Sequence, residues 1–214
     1  RIKSLAPEIE TLSNQLIDRF DGKETDLLPG FCTPIPVTII ARLIGAPEAD
    51  APDLLDWSHK MVAMYITGRT RADEAAAATA SRDFAAYLQD LQRTRTKAPK
   101  DDLISALIAE LGPNLSAPEL TTTCILLLNA GHEATVHAMA NGIRCLLETG
   151  TLPTDAAIEE TLRFDPPLHL FERHAKSDCT VFGHTFKRGD TVACLLASAN
   201  RDAKIFENAE TFIP

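Results

Sequence analysis

Residues 116–149 read SAPELTTTCILLLNAGHEATVHAMANGIRCLLET. Ser116 and Glu119 have the spacing of a capping box, and Pro118 is placed early in the first turn. No break follows before Gly150, so the stretch predicts one helix of roughly 50 Å. Its first half is apolar on nearly every side, and we therefore expect this helix to be central and buried.

The rest of the chain predicts shorter helices and, near its end, β-strands. Helical spacing and helix-ending residues mark residues 4–20, 37–44, 50–66, 72–95, 103–111 and 154–164. Asp101 or Asp102 is placed to cap the fifth of these helices. Strand signals appear at residues 179–182, 184–186 and 191–196. The prediction is a mainly α fold with a small β-sheet near the C-terminus.

The composition is typical of a globular protein, with 45% hydrophobic and 24% charged residues among 214. A net charge of −9 argues against a nucleic-acid partner. No apolar run reaches the roughly 18 residues of a membrane span, and the N-terminus does not resemble a signal peptide. Five scattered cysteines favour reduced thiols over a disulfide framework. We therefore predict a cytoplasmic protein with no membrane contact.

Residues 129–135, NAGHEAT, are the most unusual part of the long helix. Glycine costs about 1 kcal/mol relative to alanine in a helix interior, and a carboxylate such as Glu133 is rarely buried without a partner. One interpretation is a backbone that approaches a flat ligand, with Glu133 directed at it. The other is a helix crossing at Gly131, with Glu133 on a hydrated face. The residues alone leave both open.

Three charged residues after the long helix have an ordinary and a functional interpretation. Glu160 and Arg163 lie three residues apart and so share a helical face, although Glu159 is a competing partner. Pairs of this kind are usually exposed and contribute little. Arg173 is an isolated cation before the predicted strands, where a solvated surface position is the usual case.

A zinc site built on the histidines is a weaker hypothesis. His132 and His137 are five residues apart, as are His169 and His174, whereas a spacing of four would place both on one face. The sequence also contains no glycine-rich phosphate loop and no Gly-x-Ser-x-Gly motif. We expect no metal site formed by these side chains.

Taken in chain order, the motifs resemble those of the bacterial cytochromes P-450. Ala130-Gly131-His132-Glu133, with Thr135, resembles the oxygen-binding groove of the family's central helix, and Glu160-x-x-Arg163 resembles its Glu-x-x-Arg pair. Further similarities are PIPVTII (34–40), DDLISAL (101–107), FDPP (164–167), Arg173, FG (182–183), KRGD (187–190) and ANRD (199–202). The resemblance covers nearly the whole chain and implies a cytochrome P-450 fold, present in part, as a single partial domain over residues 1–214.

The resemblance implies a haem-thiolate enzyme in which haem b, iron protoporphyrin IX, lies between the central helix and a cysteine loop. Ala130 and Gly131 would lie against the haem, Arg173 would pair with a propionate, and Glu133 would supply protons for oxygen activation. Glu160 and Arg163 would form a buried pair that supports the cysteine loop. The substrate pocket would be lined by Leu168, Leu170 and Phe171.

Two departures from the family pattern bear on catalysis. Ala134 stands where the family usually has threonine, and Thr135, one residue later, is rotated by about 100° around the helix. A water or a substrate hydroxyl is then expected to relay protons from Glu133. None of the five cysteines lies in the surroundings Phe-x-x-Gly-x-x-x-Cys-x-Gly, so the axial cysteine is expected to be missing from this chain, together with a helix before Arg1 and a longer segment near Gly150.

The functional prediction is a monooxygenase whose intact parent inserts one atom of O2 into a small or medium apolar substrate. Electrons would come from a ferredoxin or a similar redox partner. Residues 1–214 alone are expected to be inactive. Two alternatives stay open: a haem-free remnant that acts as a helical binding or scaffold protein, and a helical metal-site protein using His132 and His137.

Overall fold

The computed structural model describes residues 2–214, with the side chains of all of them except residues 2, 3, 111 and 113. Helices make up most of these residues. The α-helices are α1 (Ala6–Ile17), α2 (Pro34–Ile44), α3 (Ala51–Val62), α4 (Arg71–Lys97), α5 (Leu103–Leu111), α6 (Ala117–Thr149), α7 (Asp155–Phe164) and α8 (Leu196–Ala199). Short 3-10 segments cover Ile2–Leu5, Glu48–Asp50, Ala63–Tyr65 and Gly112–Asn114, and Leu28–Cys32 forms a π-helical turn. The mainly α prediction is confirmed.

Helix ends follow local capping chemistry. The Asp102 carboxylate accepts from the N–H of Ser105 at 2.8 Å, so Asp102 is the cap of α5. Ser116 and Glu119 form the predicted capping box, since the N–H of Ser116 donates to Glu119 at 2.9 Å and the N–H of Glu119 donates to the Ser116 hydroxyl at 3.4 Å. The predicted long helix accordingly begins after Ser116 and ends at Thr149.

Four strands form two antiparallel pairs. They are β1 (Leu170–His174), β2 (Cys179–Val181), β3 (His184–Phe186) and β4 (Thr191–Leu195), with β1 paired to β4 and β2 paired to β3. The β1–β4 register places Leu170 opposite Leu195 and His174 opposite Thr191. The sequence-based prediction missed β1 because all five of its residues are exposed, so no apolar alternation marks the strand.

The described chain falls into two compact units, one ending at Val136 and the other covering His137–Pro214, with the boundary inside α6. In the first unit, buried residues of α2 to α6 form one core: Val37, Ala41, Ile44, Ala46, Ala51, Leu54, Phe84, Leu88, Ile104, Leu120, Cys124 and Leu128. In the second unit, α7 packs on the end of α6 at Gly142, where a Cβ would lie 3.1 Å from Thr161 Cγ2. That residues 1–214 act as a single domain stays a prediction.

Candidate functional site

One face of α6 in the first unit is apolar and exposed. Leu126 is 66% exposed and Leu127 37%, Ala130 is exposed, and Glu133 and Ala134 are half-buried. These positions share a face because three- and four-residue steps return to the same side of a helix. The opposite face, with Cys124, Leu128, His132 and Val136, is buried. An exposed apolar patch of this kind marks a place where a ligand or another surface binds.

The expectation that α6 is central and buried therefore holds for one side of the helix in this chain and not for the other. The residues of α2 to α5 cover one side of the helix, and the side that carries Leu126 and Ala130 stays open in this chain. The sequence predicts the apolar character of this open face. It does not predict how far the face is buried, because burial depends on which other elements contact the helix.

Gly131 lies at a close helix approach. A Cβ on this residue would lie 2.9 Å from Cδ1 of Ile40 on α2, closer than a side chain tolerates without movement. The contact is with the end of a flexible side chain, so it agrees with a helix crossing at Gly131 without deciding between the two interpretations of this position. A role of Gly131 beside a cofactor stays a prediction.

The polar groups around Ala134 differ in what they bind. The Thr135 hydroxyl donates to the carbonyl of Gly131 at 2.7 Å, a contact within the helix. The Glu133 carboxylate forms no ion pair with any of the described residues. Ala134 has no polar side-chain group. Of the three predicted catalytic residues, Glu133 is the one with an acid group beside the exposed apolar face.

The predicted histidine pair has no supporting arrangement. The His132 side chain is buried, with its ring centroid 5.2 Å from that of His59, whereas His137 is exposed. No group of three or more potential ligands that could hold a metal ion occurs among the residues that the structure describes.

Glu160 and Arg163 form a close ion pair in the second unit. Arg163 donates from Nε to Oε2 and from Nη2 to Oε1, each at 2.7 Å, in the bidentate geometry that strengthens such pairs. The Arg163 guanidinium lowers the pKa of the Glu160 carboxyl, which is 9% exposed. Glu159, the competing partner, is exposed.

The same pair also holds the C-terminal residues of the chain. Arg163 donates to the carbonyls of Asn200 (3.0 Å), Ala209 (2.9 Å) and Thr211 (2.9 Å), and the N–H of Ile213 donates to Glu160 at 2.7 Å. The Glu160–Arg163 pair thus binds the backbone of the C-terminal segment at four positions between residues 200 and 213.

Arg173 lies on β1 with an exposed guanidinium. Its Cζ is 4.2 Å from the ring centroid of Phe171, and Nη1 donates to the Glu172 carbonyl at 2.9 Å. It forms no ion pair with a carboxylate in the described part of the chain. The predicted substrate-contacting residues of this unit are each between 42% and 47% exposed: Leu168, Leu170 and Phe171.

The cysteines are poor candidates for an iron-ligating thiolate. Cys32, Cys124 and Cys145 are buried, and burial raises the pKa of each thiol, to about 11 for Cys124. A metal ligand needs the thiolate form, which a raised pKa disfavours. Cys179 and Cys194 are exposed on strands β2 and β4.

Two further features of the described residues lie apart from these side chains. A cavity of about 230 Å³ in the first unit is lined by residues from the end of α4, from α5 and from the start of α6, and it includes none of the predicted site residues.

None of the described helices combines the length and apolar character needed to cross a membrane.

Comparison with known proteins identifies relatives along the whole chain. The cytochrome P-450 family model matches residues 152–214. A putative cytochrome P-450, YjiB, of Bacillus subtilis (strain 168) is 33% identical over 229 residues, which cover 99% of this chain and 57% of that protein. The biotin biosynthesis cytochrome P-450 of the same organism is 31% identical over 98% of this chain and 56% of its own length.

Solved structures agree with this assignment. The crystal structure of P450BioI in complex with an acyl carrier protein ligated to hexadec-9Z-enoic acid has a TM-score of 0.91 and 32% identity, covering 99% of this chain and 58% of that one. Ligand-free CYP164A2 of Mycobacterium smegmatis has a TM-score of 0.89 and 37% identity, covering 100% and 59%. This chain spans somewhat more than half the length of the curated relatives it matches. It belongs to the cytochrome P-450 family.

Proposed function

We propose that the intact protein is a haem-dependent monooxygenase that inserts one atom of O2 into a small or medium apolar molecule. The observation that carries the proposal is the exposed apolar face of α6, where Ala130 lies one turn from the Glu133 carboxylate. A flat apolar cofactor needs such a surface, and a proton donor beside it serves oxygen chemistry. The family assignment supports the same class of reaction.

The residues present fit haem b on two counts. Ala130 offers a small side chain on an exposed apolar face, where a planar ring would find room for close contact. Arg173 offers a guanidinium without a carboxylate partner among the described residues, and such a fork suits a propionate. When bound through a thiolate, haem activates dioxygen and favours O–O cleavage.

The thiolate that would ligate the haem iron is proposed to come from outside residues 1–214. The three buried thiols have raised pKa values, and each of the two exposed cysteines lies in a two-stranded sheet. The Glu160–Arg163 pair is proposed to support that cysteine segment through the C-terminal residues it binds.

Glu133 is proposed as the proton donor. Ala134 has no hydroxyl, and the Thr135 hydroxyl donates to the Gly131 carbonyl, so protons from Glu133 are relayed by water or by a substrate hydroxyl. Leu168, Leu170 and Phe171 are proposed to contact the apolar substrate, because each keeps more than 40% of its surface exposed. A ferredoxin or a similar protein supplies the electrons, and we place the protein in the cytoplasm.

The test is a carbon-monoxide difference spectrum of the reduced intact protein, with haem content measured on the same sample. We expect about one haem per chain and the thiolate-type band that gives the family its name. The matched variant Arg173→Gln removes the cation and is expected to lower haem retention. A folded intact protein without haem would support the scaffold alternative and would contradict the proposal.

A further inference from the structure

The C-terminus of α7 lacks the backbone donors that usually complete a helix end. After Asp165 the chain continues with Pro166 and Pro167, and proline has no N–H. In a Schellman end, the N–H groups at these two positions would bind carbonyls of the last turn, including that of Leu162. The Asp165 N–H binds the Thr161 carbonyl at 2.9 Å. The carbonyls that follow need donors from elsewhere.

Asn200 and Arg201 supply donors to two of these carbonyls. Asn200 Nδ2 donates to the Leu162 carbonyl at 3.2 Å. Arg201 donates to the Phe164 carbonyl from Nη2 at 2.7 Å and from Nε at 3.2 Å. A cation at a helix C-terminus is also favoured by the helix dipole. Side chains nearly forty positions along the chain thus cap α7.

Arg201 is held by two further contacts. Its Cζ lies 4.1 Å from the ring centroid of Phe164, and its Nη1 donates to Glu210 at 2.7 Å. The Phe164 ring meets that of Phe212 edge-on at 5.7 Å. One side chain therefore joins the helix end, the ring beside it and the C-terminal residues.

The bonds between α7 and the later segment run in both directions. Asn200 and Arg201 donate to carbonyls of α7, while Arg163 on α7 donates to the carbonyl of Asn200 at 3.0 Å. Farther along, Glu160 accepts from the N–H of Ile213 at 2.7 Å. Side chains of the later segment thus bind backbone carbonyls of α7, and side chains of α7 bind backbone groups of the later segment.

We propose that Asn200 and Arg201 are positioning residues that supply donors to the Leu162 and Phe164 carbonyls, at a helix end where Pro166 and Pro167 offer no N–H. By completing the end of α7 they place residues 202–213 where Glu160 and Arg163 bind them. The proposal rests on contacts within the second unit and does not depend on haem. If the proposed function is right, Asn200 and Arg201 join the residues on which haem loading depends.

The experiment measures hydrogen exchange at the Ile213 amide in the intact protein, because this N–H binds Glu160 and neither of the tested residues. Arg201→Met removes a charged donor and is expected to speed exchange at least about tenfold, since hydrogen bonds to charged groups are the stronger ones. Asn200→Asp removes a neutral amide donor and is expected to speed exchange by a smaller factor. Arg201→Lys keeps one charged donor and is expected to recover part of the protection. Arg188→Met, at an exposed arginine between β3 and β4, is the matched control and should change nothing.

The proposal is overturned if Ile213 exchanges at the parental rate in both Arg201→Met and Asn200→Asp while Glu160→Gln speeds it. Should Arg201→Met fail to fold, Asn200→Asp and Arg201→Lys decide the outcome in the same way. Haem content of the samples separates the two proposals. A haem-free parent with the expected exchange pattern would contradict the monooxygenase and support the positioning role.

Discussion

Ala134 illustrates how a single side chain shapes the proposed chemistry. A hydroxyl at this position would lie on the half-buried edge of the exposed α6 face, next to Glu133. The neighbouring Thr135 does not replace it, because its hydroxyl donates to the Gly131 carbonyl at 2.7 Å. In the proposed mechanism, proton transfer from Glu133 would then need a mobile relay, and we expect the amount of product formed per electron to depend on how well that relay is ordered.

We expect Glu133→Ala in the intact protein to lower turnover by roughly 10²–10⁴-fold, the typical contribution of general acid catalysis. Ala134→Thr should keep the activity or raise the product formed per reducing equivalent, because it adds a fixed hydroxyl to the relay. The measurement is product formed against NAD(P)H or reduced ferredoxin consumed. A Glu133→Ala variant with parental turnover would remove Glu133 from the mechanism.

At the scale of the element, a buried ion pair connects three helices of the first unit. Arg95 near the end of α4 binds the Asp102 carboxylate that caps α5, and its Nη2 donates to the Gly45 carbonyl at the end of α2 at 2.5 Å. A Cβ on Gly45 would collide with Asp102. Burial alone would raise the pKa of Asp102, but the hydrogen bonds from Arg95 and Ser105 outweigh it, and the pKa is lowered.

This lowered pKa predicts a pH dependence of stability. Because the folded state holds the Asp102 proton more weakly than the unfolded state, the stabilisation is complete above the ordinary value of 3.8 and is lost as the pH falls through the folded pKa. Asp102→Asn should therefore flatten the change in urea midpoint between about pH 5 and pH 2. Glu110→Gln, on the exposed side of α5, is the control. Equal slopes for Asp102→Asn and the parent would contradict this assignment.

The Glu160–Arg163 pair on α7 leads to a prediction about the stability of the intact protein. Removing one member of a buried pair leaves an uncompensated charge and costs roughly 3–5 kcal/mol. Arg163→Ala should therefore abolish folded, haem-containing intact protein. Glu159→Ala, one residue from Glu160 but exposed, should change stability by no more than about 0.5 kcal/mol. Equal haem incorporation by the two variants would show that the pair does not support the haem site.

At the scale of the whole molecule, both units expose large apolar side chains. Leu126 is 66% exposed in the first unit, and Leu147 and Ile205 are each 74% exposed in the second. The three buried cysteines are also unsuited to ligate a metal as thiolates, because burial raises the pKa of each thiol. Because none of the five cysteines, buried or exposed, lies in the surroundings Phe-x-x-Gly-x-x-x-Cys-x-Gly, haem ligation is expected to require more of the protein than these residues.

We accordingly expect residues 1–214, produced alone and supplied with haem, to give no thiolate-type band in the reduced carbon-monoxide difference spectrum. The intact protein should give it. A thiolate-type band from residues 1–214 would show that one of the five cysteines is the ligand. Single Cys179→Ser and Cys194→Ser variants would then identify which exposed cysteine provides it.

Local features of this protein followed from the sequence. The α5 cap, which the sequence narrowed to Asp101 or Asp102, the Ser116–Glu119 box and the limits of α5 and α6 involve bonds between residues no more than four apart, so their signals are contained in short stretches. The Glu160-x-x-Arg163 spacing likewise indicated a shared helical face. The motif order was sufficient to identify the family before any contact was known.

Other features depended on contacts between distant residues. Strand β1 exists because it pairs with β4, about twenty residues away, and its exposed side chains carry no strand pattern. Three further features also depend on such contacts. They are the choice of Glu160 over Glu159, the open side of α6 and the capping of α7 by Asn200 and Arg201. A short stretch of sequence contains the bonds made within one helical turn, whereas burial and long-range bonds depend on which elements meet after the chain has folded.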